Sequence, residues 1–215
     1  MTQPPVISAD DLSFGYRPDA LILTGFSLAV AAGEVVAVTG VSGRGKSTLL
    51  YLLAGLLSPW GGEVTFRGQR LHAAADHVRA RLRARWFGFV FQDTVLDPRR
   101  TVLDAVLEPT LYAQLARADH RDRALRLLAQ FGVSLRPEAL PGEISGGQAQ
   151  RVGLCRALLL QPAVIFADEP TGNLDAGSTE VVVQALTDSA RHGAAVVIAT
   201  HDERLVAACT RVVAL

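Results

Sequence analysis

The chain has 215 residues, 49% of them hydrophobic, with 21 basic and 21 acidic side chains and a formal net charge of +0. That length suffices for one substantial core or a core with a small subdomain, and the neutral balance leaves no global electrostatic footprint for nucleic acid or an anionic membrane. Cys155 and Cys209 stand far apart and outside any C-x-x-C pair, which fits small buried side chains in a reducing cytosol rather than a disulfide framework. No basic-then-apolar leader opens the chain, and no apolar run reaches the length of a membrane span.

Residues 6–14, 26–30 and 64–66 form short alternating runs separated by turn residues such as Asp19, Gly33 and Gly61-Gly62. They predict a small antiparallel sheet. Tyr16 follows the first run; an aromatic there can stack on a base, although packing is the commoner role of a tyrosine near a turn. Residues 34–39 predict a buried strand, and Leu49, Leu50, Leu52, Leu53, Leu56 and Leu57 recur at helical spacing. Between them lies Gly40-Val41-Ser42-Gly43-Arg44-Gly45-Lys46-Ser47-Thr48, which matches G-x-x-x-x-G-K-[ST] at every fixed position. Strand, glycine loop and helix are the context of a nucleotide phosphate site. Glycines let backbone N–H groups turn inward, the helix N-terminus adds its positive end, Lys46 supplies a point charge and Ser47 offers a hydroxyl to Mg²⁺. Lys46 is the single lysine among the 21 basic residues, as expected where a compact ammonium must fit and a planar guanidinium would not.

Further along, Arg79, Arg81, Arg83 and Arg85 alternate with Ala and Leu, beside one aromatic, Trp86. This pattern predicts a solvated face rather than a nucleic-acid platform. Residues 87–91 predict a buried strand ending at Gln92, a place from which a polar side chain faces the ligand crevice of an α/β sheet. Leu103, Val106, Leu107 and Leu111, then Leu125, Leu127, Leu128 and Phe131, have helical spacing with no strand between, so a helical subdomain is expected between Gln92 and Ser145. Ser145-Gly146-Gly147-Gln148 opens another helix, either as a second anion-binding terminus or as a cap and turn. Residues 163–169 form an apolar strand ending in Asp168 and Glu169, carboxylates too costly to bury unpaired and naturally satisfied by a metal and a water. Residues 195–200 form another such strand, ending at His201.

In this order the phosphate loop, Gln92, Ser145-Gly146-Gly147-Gln148, Asp168-Glu169 and His201 resemble the nucleotide-binding domain of ABC transporters, over essentially the whole chain. The resemblance implies an α/β fold: a P-loop NTPase (RecA-like) core with a small N-terminal antiparallel β subdomain and an inserted α-helical subdomain. One domain, 1–215, is expected, with 1–92 and 160–215 as core and β subdomain and about 93–159 as the helical part. It also implies ATP and Mg²⁺ as ligands. Tyr16 would stack on adenine; Gly40, Ser42, Gly43, Gly45, Lys46, Ser47 and Thr48 would hold the phosphates. Ser47 and Gln92 would contact the metal, and Asp168 would hold it through water. Glu169 is similar to the general base, His201 to the switch residue at the γ-phosphate, and Asp175 to the loop joining two sites across a dimer. Ser145, Gly147 and Gln148 would serve the ATP of a partner subunit.

The run from Ala167 through Pro170-Thr171-Gly172-Asn173-Leu174 to Asp175 is similar to the branch serving lipoprotein release, macrolide-type export and cell division. Phe91-Gln92-Asp93 with Asp97-Pro98-Arg99 resembles the peptide-import branch instead, so substrate and direction stay open. Ile144 and Ala149 depart from the family's usual leucine and polar residue, and the sequence given stops at Leu215, where relatives usually continue. The implied partners are a second nucleotide-binding subunit, identical or paralogous, and a transmembrane permease, with no nucleic acid and no direct membrane insertion. The implied location is cytoplasmic, peripheral on the inner face of the membrane. An ABC-type ATPase acting on nucleic acid fits less well with the neutral charge and single cassette, and a silent regulatory cassette fits less well with the intact Glu169 and His201.

Overall fold

A computed structural model describes residues 4–41, 43–133, 136–172 and 174–215. The chain begins with two long strands, β1 (Pro5–Arg17) and β2 (Ala20–Ala31), joined by a turn that contains Asp19. β3 (Val35–Thr39) leads into α1 (Lys46–Leu53), followed by β4 (Gly61–Phe66), the two-residue β5 (Gln69–Arg70) and α2 (Asp76–Trp86). After β6 (Phe87–Phe91) come α3 (Val102–Tyr112), α4 (Arg117–Gln130) and α5 (Gly146–Leu158). The chain then alternates through β7 (Val164–Asp168), α6 (Ala176–Arg191), β8 (Ala195–Ala199), α7 (Glu203–Ala208) and β9 (Arg211–Ala214).

Two sheets result. The expected small antiparallel sheet has the order β2-β1-β4-β5, and a parallel sheet has the order β6-β7-β8-β3-β9. Strands that alternate with helices pair in parallel, and such sheets are covered on both faces, so their strands are apolar throughout; every residue of β8 is buried. Alternation along each strand divides the interior into two layers. Val35, Ile165, Ala167, Val196 and Ile198 face α3–α6, sharing a cluster with Val106, Leu128 and Val152. Val36, Val38, Val164, Phe166 and Val197 face the other way, onto α1 and the antiparallel sheet, sharing a cluster with Ile7, Leu12, Leu49, Leu53 and Phe66.

The arginine run differs from the solvated face expected of it. It lies on α2, where Arg81 is exposed but Arg79, Arg83 and Arg85 are half-buried. Arg83 donates to the Gly55 carbonyl at 2.9 Å and Arg85 to the Leu160 carbonyl at 3.1 Å. Gly55 and Leu160 follow α1 and α5, and the carbonyls at a helix C-terminus lack intrahelical donors, so a guanidinium is a fitting partner. Arg123 of α4 does the same for Leu158 and Leu159.

Candidate functional site

The parallel sheet sets the site. Phe91, Asp168 and Ala199 stand side by side in register at the C-terminal ends of β6, β7 and β8, with Val38 of β3 next to Ala199. The glycine loop, Gln92, Glu169 and His201 therefore leave the sheet along one edge, where an open α/β sheet forms its ligand crevice.

The loop from Gly40 to Gly45 turns because its glycines take up backbone conformations that other residues avoid: φ is 82° at Gly43 and 95° at Gly45. A Cβ at Gly45 would also collide with the Ile22 side chain. Lys46 opens α1 and its Nζ donates back to the Gly40 carbonyl at 2.9 Å, so its ammonium crosses the mouth of the loop. Ser42 lies outside the described residues, as does Asn173. Thr48 is buried, and its Oγ1 lies 3.2 Å from the Tyr16 hydroxyl. The Tyr16 ring meets Phe14 edge-on, with centroids 5.2 Å apart, and stays 61% exposed. A ring packed perpendicular to Phe14, held by its hydroxyl and still largely exposed, can carry a flat ligand.

Next to the loop, the Ser47 hydroxyl lies near enough to the Asp168 carboxyl to favour its ionised form. Burial pushes the Asp168 carboxyl above its ordinary range; Ser47 and the Lys46 charge oppose this and the Glu169 charge adds to it. Burial, followed by the charge of Asp168, also raises the Tyr51 hydroxyl. Glu169 adopts a left-handed backbone, φ 44°, which is strained for a residue with a Cβ. The conformation is held by its N–H on the Ala199 carbonyl at 2.8 Å. Its carboxylate meets His201 Nδ1 at 2.9 Å, and it accepts from Thr200 Oγ1 at 3.3 Å. His201 is 77% exposed at the side chain and Glu169 only 18%, so the carboxylate sits inside and the imidazole at the rim. With the carboxylate ionised, Nδ1 carries the proton. Gln92 packs on the loop that follows Glu169, where a Cβ at Gly172 would come 3.1 Å from its Nε2.

A second group of residues gathers around the start of α5. Ser145 and Gln148 form a reciprocal cap, Gln148 N on Ser145 Oγ at 3.3 Å and Ser145 N on Gln148 Oε1 at 2.9 Å. The cap and the anion-binding terminus are compatible, because the first-turn N–H groups of a helix remain free to bind outward. Asp175 caps α6 through Ser178 N at 2.9 Å, which holds its carboxyl below the usual range, and Arg151 of α5 donates to Ser178 Oγ at 3.1 Å. Among the described residues no hydrogen bond or ion pair joins Ser145, Gly147 or Gln148 to Lys46, Ser47, Asp168 or Glu169. The structure thus brings the expected residues into two groups, one at the sheet edge and one at the α5 terminus.

Three contributors escape a reading by motif. Thr200, fully buried, donates to Glu169 and accepts from Asp202 N at 3.0 Å. Thr171 donates to Asp202 Oδ2 at 2.9 Å, tying the loop after β7 to the loop after β8. Gln150 is a buried amide on the inward face of α5; the signal for it was a polar residue four before Leu154 and seven before Ala157, on the apolar stripe of the helix.

Comparison with known proteins follows the same lines. The family described as ABC transporter matches residues 23–172. The uncharacterized ABC transporter ATP-binding protein YbbA of Escherichia coli (strain K12) is 46% identical over 191 residues, 88% of this chain and 84% of the relative. The lipoprotein-releasing system ATP-binding protein LolD of Geobacter metallireducens is 42% identical over 211 residues, 95% of this chain and 93% of the relative. Among solved structures, a dimeric bacterial ABC transporter cassette, MJ0796, superposes with a TM-score of 0.88 at 32% identity, covering 97% of this chain and 94% of the other. The same cassette has been solved as a dimer in a post-hydrolysis state bound to ADP and Pi, with a TM-score of 0.88 at 31% identity and the same coverage.

Proposed function

Because the chain belongs to the ABC transporter family, we propose that it is the ATP-binding and ATP-hydrolysing subunit that powers a separate membrane permease. The observation that carries this reading is the pair at the end of β7: Asp168 beside the phosphate-loop serine, and Glu169 turned away from it toward His201 Nδ1 at 2.9 Å. Two adjacent carboxylates with different neighbours take different roles.

On this reading Lys46, Ser47 and the loop amides hold the triphosphate while the exposed face of Tyr16 stacks on adenine. Ser47, Gln92 and Asp168 would hold Mg²⁺. The hard oxygen donors suit that ion, and the buried carboxylate, costly as a lone charge, gains from a cation. Bound there, Mg²⁺ neutralises charge developing on the phosphates. Glu169 orients the attacking water and takes its proton, and His201 and Thr200 fix the carboxylate for that task. Ser145, Gly147 and Gln148 lie in the other group, so the site is completed by the α5 terminus of a second nucleotide-binding chain, identical or paralogous. Asp175 of each chain stands at that junction.

Residues 93–159 act in this scheme as a helical arm presenting the Ser145 loop. A cleft of about 480 Å³, lined mainly by apolar groups including Leu56, Phe89, Phe91, Pro109 and Tyr112, separates α2 and β6 from this arm. Leu56 and Tyr112 are about half-exposed there, which suits a segment of the permease. No described helix is long and apolar enough to cross a membrane, so the chain would be peripheral on the cytoplasmic face through that partner. A nucleic-acid role gains no support, since Arg83 and Arg85 are engaged with backbone carbonyls.

Phosphate release from ATP by the purified chain tests the hydrolase directly. Lys46→Ala should lower turnover by roughly 100-fold or more, the scale on which removing a preorganised electrostatic group acts. Turnover at the parent rate would refute the site.

A further inference from the structure

We infer that Gln150 is a positioning residue for hydrolysis, locking α5 to the backbone on both flanks of the crevice, an inference that rests on the hydrolase reading above. Its side chain is 4% exposed. Nε2 donates to the Phe91 carbonyl at 2.7 Å and to the Pro170 carbonyl at 3.2 Å, and Oε1 accepts from Thr94 Oγ1 at 2.7 Å. With two carbonyls on one side of the amide, only one orientation satisfies them, so the assignment of N and O follows from the neighbours.

A buried position on an apolar stripe is filled most simply by leucine. An amide there loses its hydration and is tolerated only when its hydrogen-bonding arms are used. Here they reach residues 59, 56 and 20 positions away in sequence. The targets are also particular. Phe91 immediately precedes Gln92, Thr94 comes two residues after it, and Pro170 immediately follows Glu169. One side chain therefore holds the carbonyl just before the expected metal-contacting glutamine and the carbonyl one residue past the expected base. Gly153, one turn further along α5, widens the contact: a Cβ there would come 2.5 Å from Thr94 Oγ1, so the Thr94 side chain seats against the bare helix backbone. The next residue, Arg151, ties α5 to Ser178 and through it to the Asp175 cap.

Ser145 lies five residues before Gln150 on the same helix. A rigid helix transmits displacement along its axis, so a change at Gln92 or Glu169 that accompanies nucleotide binding shifts the Ser145 loop through Gln150. The loop that binds the partner's ATP thereby becomes sensitive to the occupancy of its own chain's site. Among the described residues Gln150 makes no hydrogen bond to the phosphate loop or to Tyr16, so its role is in turnover and coupling rather than in nucleotide affinity.

The test is Gln150→Leu, which keeps the volume and removes all three hydrogen bonds, with Thr94→Val as an independent variant and Thr94→Ser as the conservative one that keeps the hydroxyl. Steady-state turnover and equilibrium binding of ATP to the isolated chain are measured together, with denaturant unfolding alongside. We expect kcat to fall about 10-fold in Gln150→Leu, with ATP affinity within about two-fold of the parent. Thr94→Val should show the same split to a smaller degree, Thr94→Ser should restore turnover, and the double variant should be no slower than Gln150→Leu alone, as partners in one network are non-additive. An unchanged kcat, or a kcat that falls in step with ATP affinity or with folding stability, would overturn the inference. A parent chain without ATP turnover would instead refute the hydrolase reading, and this inference with it.

Discussion

On the proposed reading Asp168 serves the site at the expense of the fold. Burial raises its carboxyl above the ordinary range, so the folded apo chain holds that proton to higher pH than the unfolded chain does. The resulting contribution to stability is present in acid, below the unfolded value, and is lost as pH rises through the raised value, above which the ionised carboxylate works against the nucleotide-free fold. Asp168→Asn should therefore stabilise the nucleotide-free chain against denaturant at about pH 7, with the difference shrinking toward about pH 4, while abolishing Mg²⁺-dependent turnover. A variant no more stable than the parent at neutral pH would contradict the raised carboxyl. At this scale the sequence was most informative about position: Lys46, Asp168, Glu169 and His201, read from motif spacing, gather at one edge of the parallel sheet. Thr200 and Gln150 were less legible, because a hydroxyl or amide acquires its role only through neighbours more than thirty or fifty residues away.

Among the elements, β6 and α5 meet at Gly88 more closely than a side chain allows. A Cβ there would come 2.6 Å from the Ala157 carbonyl and 3.1 Å from Pro162 Cγ. Gly88→Ala should force α5 from the sheet and cost about 1–3 kcal/mol of unfolding free energy, the scale of overpacking in a filled core. Chemical denaturation measures it, and an unchanged midpoint and slope would show that α5 yields without loss. The strands of the parallel sheet were legible because double-sided burial makes them uniformly apolar, as in residues 163–167 and 195–199. β9 was not, since a four-residue strand with two exposed positions at its start carries too little pattern, and its pairing with β3 is set by the turn through Thr210, which hydrogen-bonds Val35. The inward arginines of α2 were misjudged for a related reason. Their acceptors are backbone carbonyls at the ends of other helices, and a carbonyl looks the same in every residue of a sequence.

The molecule as a whole keeps two groups of residues apart: one, at the sheet edge, holds the phosphate loop and the Glu169–His201 pair; the other, at the α5 terminus, is the capped first turn from Ser145. On the proposed reading, the two groups, unlinked among the described residues, would meet across a twofold on which each chain's α5 terminus faces the other chain's phosphate loop. ATP bound between them would belong to both chains and so favour the dimer by linkage. Glu169→Gln isolates this claim, because the amide preserves size and hydrogen bonding yet removes the base. Size-exclusion chromatography with light scattering on that variant should give a dimer with ATP and a monomer with ADP, with hydrolysis lost. A Glu169→Gln chain that hydrolyses ATP at the parent rate would contradict the base assignment, and one that binds ATP and stays monomeric would contradict the pairing of two identical chains.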